Sequence, residues 1–302
     1  MNNTETQGLN HPVHVICGTA RIGSEDIALR SGDVLVATLV DAYMSVYKGK
    51  DQSISQRMRW WQAKIGHHTL LSVDEDHIQA ITLDLDDTLW PVAPTISAAE
   101  QDLLHWLLVN TPETAKLTQI TEVKAAIRQS VLEKHTFKAH DLGFLRCEVI
   151  RETMRLAGDD PQLANEAYAV FDAARQRVTL YEGVKEALAR LSTKFRLVAI
   201  SNGTADVFVT PAAPYFHAAF KAHEVGVAKP DVKIYQAATS YLALDADQVL
   251  HIGDDAHADA WGAREAGLYT VWINPQDHPW THDSPQPWTI RHLSEVADHF
   301  QV

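Results

Sequence analysis

Residues 80–90, Ala-Ile-Thr-Leu-Asp-Leu-Asp-Asp-Thr-Leu-Trp, constrain this chain more than any other stretch. Ile81 to Leu83 is apolar and partly β-branched, the pattern of a buried parallel strand. It runs straight into Asp84, Asp86 and Asp87, followed by Thr88. Carboxylates left unpaired at the end of a buried strand are costly, so their charge must be compensated or solvated. A divalent, oxygen-seeking cation is the simplest compensation, and Mg²⁺ takes one or two carboxylates together with substrate phosphate oxygens. The plainer alternative is an acidic, hydrated loop after a strand. The D-x-D-x-T pattern alone leaves both open.

Three later segments bear on that choice. Residues 196–203 read Arg-Leu-Val-Ala-Ile-Ser-Asn-Gly, a strand ending at Ser201. Residues 225–231 read Val-Gly-Val-Ala-Lys-Pro-Asp, which sets Lys229 before a helix. Residues 249–259 read Val-Leu-His-Ile-Gly-Asp-Asp-Ala-His-Ala-Asp, a second strand that ends in acid. Taken in this order with residues 80–90, they resemble the four motifs of the haloacid dehalogenase-like hydrolase superfamily, over about residues 78–280. The resemblance implies an α/β fold: a doubly wound, Rossmann-like parallel sheet with an inserted helical cap. Within that superfamily, Leu83-Asp-Leu-Asp-Asp-Thr-Leu89 and Gly253-Asp-Asp, with Asp259 five residues after Asp254, look like the bacterial flavin mononucleotide and pyrimidine-precursor phosphatases. Tyr181-Glu182-Gly183 departs from the pattern, since relatives carry Pro before that Gly; this touches a helix start and not the chemistry.

The resemblance also implies roles. Asp84 is the nucleophile that forms an aspartyl-phosphate, and Asp86 protonates the leaving oxygen and then deprotonates the attacking water. Lys229 and Mg²⁺ screen the repulsion between a carboxylate and an anionic phosphate. Thr88, Ser201 and Asn202 hold phosphate oxygens. Asp84, the backbone carbonyl of Asp86, and Asp254 ligate the metal, with Asp259, or alternatively Asp255, bracing Lys229 and the metal shell. Asp86 also separates branches, because a halide leaves without a proton and a dehalogenase needs no acid there. The implied activity is hydrolysis of a small phosphorylated metabolite such as flavin mononucleotide or a related sugar or nucleotide phosphate.

Organisation follows the hydrophobic pattern. Residues 91–178 are helical in periodicity: Ser97-Ala-Ala-Glu100 has the form of a capping box, residues 121–134 and 142–156 are amphipathic, and Asp160-Pro161 opens a fourth helix. The expected cap is 96–178, between core segments 78–95 and 179–302. His140, Asp141 and Arg146 are candidates for leaving-group binding, or ordinary polar helix positions. From Leu180 helix and strand alternate, with helices at 183–193, 231–243 and 256–267 and strands at 195–201, 248–253 and 269–273. Such alternation predicts a parallel sheet whose strand ends gather on one ligand-binding edge. Residues 275–288 read as a loop, and 291–300 as a closing helix.

Residues 1–77 are expected to be a helical extension, with Val13 to Cys17 as a short strand lacking an evident partner. Val34, Leu35, Leu39, Val40, Tyr43 and Tyr47 recur at helical spacing, and Met58, Trp61 and Ile65 mark a second helix. Lys48, Lys50, Arg57, Arg59 and Lys64 face one acid, Asp51, in a chain whose net charge is −13. The overall charge argues against nucleic acid as partner of the whole molecule, while this basic island invites it locally. Residues 39–81 resemble the first half of the helical core-binding domain of phage-type tyrosine recombinases, whose remainder is absent. The competing expectation is thus a DNA-associated fusion protein whose N-terminal helices bind nucleic acid. Two cysteines outline neither a disulfide framework nor a zinc site. With no signal-peptide pattern and no long apolar run, the expectation is a soluble, cytoplasmic protein without membrane contact.

Overall fold

The computed structural model describes residues 77–302, together with the backbone of six short strands between Val13 and Ser45. The chain divides into two units, Met1–Lys64 and Ile65–Val302. In the first, Val13–His14 pairs with Val34–Leu35, Gly18–Ile22 with Glu25–Leu29, and Thr38–Val40 with Tyr43–Ser45, all antiparallel. The expected strand at Val13 therefore has a partner. The helix expected from Val34 to Tyr47 is replaced, where described, by strands, in keeping with a stretch rich in Val and Tyr, which suit a pleated surface. The rest of the predicted helical hairpin, including the basic island and most of the recombinase-like stretch, lies outside the described residues.

The second unit is built on a six-stranded sheet. Its strands are β1 (Ala80–Leu83), β2 (Arg196–Ser201), β3 (Phe216–Lys221), β4 (Val249–Gly253), β5 (Tyr269–Ile273) and β6 (Trp288–Ile290). They are ordered β6-β5-β4-β1-β2-β3, and every pairing is parallel. The fully buried strands follow from their apolar runs, and the period of two divides their side chains between two cores. Ile81, Leu83, Leu197, Ala199, Leu250 and Ile252 join one core; Ala80, Val198, Ile200 and Val249 join the other. Helices α6 (Val184–Leu191) and α8 (Ser294–His299) cover the first face, and α7 (Val232–Leu242) covers the second.

Between β1 and α6 the chain forms five α-helices: α1 (Val92–Asn110), α2 (Pro112–Thr118), α3 (Thr121–Lys134), α4 (Leu142–Ala157) and α5 (Ala164–Arg175). Leu103, Leu107, Ile150, Met154 and Phe171 knit α1, α4 and α5 into their own core. Helix α1 starts earlier than the Ser97 signature suggests, which leaves Ser97 in its interior. The start signal lies upstream. Asp87 adopts a left-handed φ of 56°, and its Oδ1 accepts a 2.9 Å bond from the N–H of Val92; Asp tolerates that conformation better than most residues. Among the described residues no helix is long and apolar enough to cross a membrane.

Candidate active site

In the chain's path, β1 is followed on one side by β2 and β3, and on the other by β4 and β5. This reversal of strand order at β1 opens a crevice at the carboxyl ends of the strands, where ligands bind in open α/β sheets. Leu83 and Ile252 are partners in the ladder, and the N–H of Asp84 donates to the carbonyl of Ile252 at 2.9 Å. Asp84 and Asp254 thus follow neighbouring strands at the same height. Ser201 closes β2 on the other flank.

Lys229 reaches this edge from the loop before α7. Its side chain is only 2% exposed, and its Nζ lies 2.6 Å from Asp84 Oδ1 and 2.6 Å from Asp259 Oδ1. Asn202 holds that loop in place: its Oδ1 accepts from the N–H of Lys229 at 2.8 Å, and its Nδ2 donates to the Lys229 carbonyl at 3.0 Å. Burial alone would lower the lysine's pKa, but Asp259 and Asp84 more than reverse this and raise it. The ammonium is a fixed charge.

Asp259 sits in a π-helical turn, Ala256–Trp261, a distortion frequent at functional sites. Its carboxylate accepts from Lys229 and from the N–H of Asp255 at 3.0 Å, and lies 3.2 Å from His251 Nε2. Burial would raise its pKa, yet Lys229 and His251 hold it below the ordinary carboxylate range. His251 Nδ1 lies 2.8 Å from Thr82 Oγ1, its ladder partner across β1 and β4. An ionised Asp259 only accepts, so Nε2 carries the proton and Nδ1 accepts from the Thr82 hydroxyl. Burial lowers the His251 pKa, consistent with a neutral ring. The chain Thr82–His251–Asp259–Lys229–Asp84 is continuous.

The carboxylates of Asp84, Asp254 and Asp259 offer oxygens within 4.8 Å of one another. Burial, and the charges of Asp259 and Asp254 beyond it, raise the Asp84 pKa well above the usual value despite Lys229. Burial and then Asp259 push Asp254 up to about 7. Carboxylates so disfavoured as anions are what a hard cation would relieve, and an all-oxygen donor set suits Mg²⁺ better than zinc. With Asp259 engaged, Asp84 and Asp254 are the side chains placed to ligate. Asp254 Oδ1 accepts from Thr88 Oγ1 at 2.8 Å, and its carbonyl accepts from Trp272 Nε1 at 2.8 Å.

Asp86 is held differently. Trp90 Nε1 donates to its Oδ1 at 2.8 Å, and Arg175 Nη2 lies 2.5 and 2.6 Å from its two oxygens. Arg175 is the last residue of α5, so this ion pair joins the helical block to the loop after β1. Ser201 Oγ accepts from the N–H of Gly203 at 3.0 Å and so shapes the turn after β2.

The expected residues thus divide. Asp84, Lys229 and Asp259 are joined by ion pairs, Thr88 is bonded to Asp254, whose carboxylate lies within 4.8 Å of the other two, Asn202 is fastened to Lys229, and Ser201 and Asp86 flank Gly203. Arg146 is engaged elsewhere, 2.6 Å from Glu100 and stacked 3.9 Å over the ring of Phe171. Asp141 caps α4 by accepting from the N–H of Phe144 at 3.0 Å. His140 is half-buried in the turn before that cap. Arg175, His251, Trp90 and Trp272 were not anticipated; only His251, polar within an apolar strand, carried a readable signal.

A family profile for haloacid dehalogenase-like hydrolases matches residues 78–267. The chain is 31% identical over 223 residues to the 5-amino-6-(5-phospho-D-ribitylamino)uracil phosphatase of Escherichia coli, spanning 72% of this chain and 91% of that enzyme. It is 28% identical over 160 residues to a phosphoserine phosphatase of Thermus thermophilus, over 51% of this chain and 64% of that one. A solved 2-haloacid dehalogenase from Pseudomonas syringae superposes with a TM-score of 0.69 at 34% identity, covering 73% of this chain and 97% of that one.

Proposed function

The chain belongs to the haloacid dehalogenase-like hydrolase family, as a phosphoric monoester hydrolase, and from that premise we propose that it is a Mg²⁺-dependent phosphatase of a small phosphorylated metabolite. The observation that carries this reading is an acid, Asp86, two residues after an Asp84 that is paired with the buried Lys229 and Asp259, with its carboxylate toward the Ser201–Gly203 turn. Although several similar structures are dehalogenases, an acid two residues after the nucleophile serves a leaving group that needs a proton. The 91% coverage of the Escherichia coli enzyme makes ribityl phosphates bearing a pyrimidine or flavin ring the first substrates to try.

In this mechanism an Asp84 oxygen attacks phosphorus, the bond to the leaving oxygen breaks, and Asp86 delivers a proton to that oxygen. An aspartyl-phosphate remains. Asp86 then takes a proton from water as the water attacks phosphorus, which releases inorganic phosphate and restores Asp84. Lys229 offsets negative charge beside the nucleophile, and Asp259, itself set by His251 and Asp255, keeps it there. Bound at Asp84, the Asp86 carbonyl and Asp254, Mg²⁺ would neutralise phosphoryl charge. Thr88, Ser201 and the N–H groups of the Asn202 turn would receive phosphate oxygens. We assign 78–95 and 179–302 to the catalytic core and 96–178 to a cap that closes over it.

A panel of phosphate monoesters should show turnover with Mg²⁺ and none in excess EDTA; full activity in EDTA overturns the metal assignment. p-Nitrophenyl phosphate has a leaving group that scarcely needs protonation, so it separates the two aspartates. Asp84→Asn should form no phospho-enzyme. Asp86→Asn should transfer once and stall, with turnover reduced by at least about 10²–10⁴-fold. Mass spectrometry should then find the phosphate on Asp84, and finding it elsewhere reverses the roles. A salt-dependent electrophoretic shift with duplex DNA would favour the DNA-associated alternative instead.

A further inference from the structure

The side chain of Arg175 is 2% exposed, yet a guanidinium keeps its charge under all ordinary conditions. A buried cation needs an acceptor for each of its donors, or it costs stability. Asp86 supplies one carboxylate, but a single nitrogen, Nη2, contacts both of its oxygens. Nη1 is buried and finds no acceptor among the described residues. A guanidinium that braces a carboxylate frequently meets it fork to fork, with two nitrogens on two oxygens. This one holds a donor in reserve.

Its position says what for. A Cβ added to Gly203 would stand 2.5 Å from Asp86 Oδ2, 3.3 Å from Ser201 Oγ and 3.6 Å from Arg175 Nη2. The guanidinium therefore lies where the loop after β1 and the turn after β2 converge. In the proposed reaction that is where an anion with several peripheral oxygens enters. Lys229, the other buried lysine or arginine among the described residues, lies on the Asp84 side.

We propose that Arg175 is a phosphate-binding residue: its Nη1 takes a phosphoryl oxygen while Nη2 keeps hold of Asp86. One rigid group then sets the distance between the phosphoryl group and the acid–base carboxylate. Because Arg175 ends α5, the helical block contributes directly to phosphate binding. The inference rests on the phosphatase reading.

Inorganic phosphate is the probe, measured as a competitive inhibitor of p-nitrophenyl phosphate hydrolysis by the full chain. Arg175→Lys keeps the charge and a head that reaches Asp86, but lacks the second arm of the fork. The inhibition constant for phosphate should rise about 10–100-fold, the worth of one charge-assisted hydrogen bond, with KM rising in parallel. An unchanged inhibition constant overturns the inference, and if kcat alone falls, Arg175 only positions Asp86. Should Arg175→Lys not fold, phosphate binding is compared by calorimetry between Asp86→Asn and Asp86→Asn/Arg175→Met, in which the ion pair is gone from both. Weaker binding by the double variant is expected, and equal binding overturns the proposal. A wild-type chain that neither binds phosphate nor hydrolyses any monoester sinks the phosphatase reading itself.

Discussion

His251 shows how one polar side chain inside a sheet can govern a lysine two contacts away. It satisfies the Thr82 hydroxyl on one side and lies 3.2 Å from Asp259 on the other, while its ring meets Tyr235 edge-on at 5.3 Å. Replacing it by leucine orphans the hydroxyl and removes a donor from an ionised, buried carboxylate. His251→Leu should cost about 1–3 kcal/mol, read from urea denaturation, and lower kcat because Asp259, the counter-charge of Lys229, loses one of the donors that hold it. Wild-type stability and turnover together would show the ring to be a bystander. Asp84, Ser201 and Asp254 were legible in the sequence because each is a polar residue terminating an apolar run. Lys229 was legible through its setting before a helix. Arg175 was not, since an arginine in the last turn of a helix ordinarily faces solvent and complements the helix dipole. Trp90 and Trp272 escaped for a related reason: aromatic burial is expected of tryptophan, and the indole N–H gives no sequence signal of the carboxylate or carbonyl it will reach.

Elements were legible where the periodicity was unbroken. Helix α3 spans Thr121–Lys134 as expected, and α4 runs Leu142–Ala157, one residue longer. The edge strands were not. Phe216–Lys221 carries His217 and Lys221 and is half-exposed, and Trp288–Ile290 follows Pro285 and Pro287, so neither shows the apolar run of a central strand. The close approach of strand end to turn makes its own prediction. A Cβ on Gly253, the last residue of β4, would lie 2.2–2.5 Å from three Asp259 side-chain atoms. Gly253→Ala must therefore push the Asp259 carboxylate off Lys229 and His251. Overpacking of this kind costs about 1–3 kcal/mol. A fall in both Tm and kcat is expected, and an alanine variant with neither would mean that the π-turn yields freely.

At the scale of the whole molecule, Ile65–Val302 holds its own cores and every residue assigned to the site. A fragment beginning at Ile65 should fold and retain wild-type kcat; an insoluble or inactive fragment would make the preceding residues part of the hydrolase. The same unit concentrates negative charge at one edge, and this links pH, metal and stability. Without a cation, burial and Asp259 push Asp254 up to about 7, and Asp84 moves in the same direction. Between about pH 4, where an unfolded aspartate releases its proton, and pH 7, the folded chain binds more protons than the unfolded one. The stability these two groups contribute is therefore full below the unfolded value and is lost as pH rises toward 7. Asp259 and Glu100, whose pKa values are lowered, contribute in the opposite sense, with stability lost only at more acid pH. The difference in Tm between Mg²⁺ and EDTA isolates the metal-linked part, because a cation must displace the protons that the folded state has retained. That difference should be small at pH 5, grow through pH 6 and 7, and level off by pH 8. Asp254→Asn should flatten the profile, since it leaves no proton at that position to displace. A Mg²⁺ shift equal at every pH would mean that the ion binds away from Asp84 and Asp254.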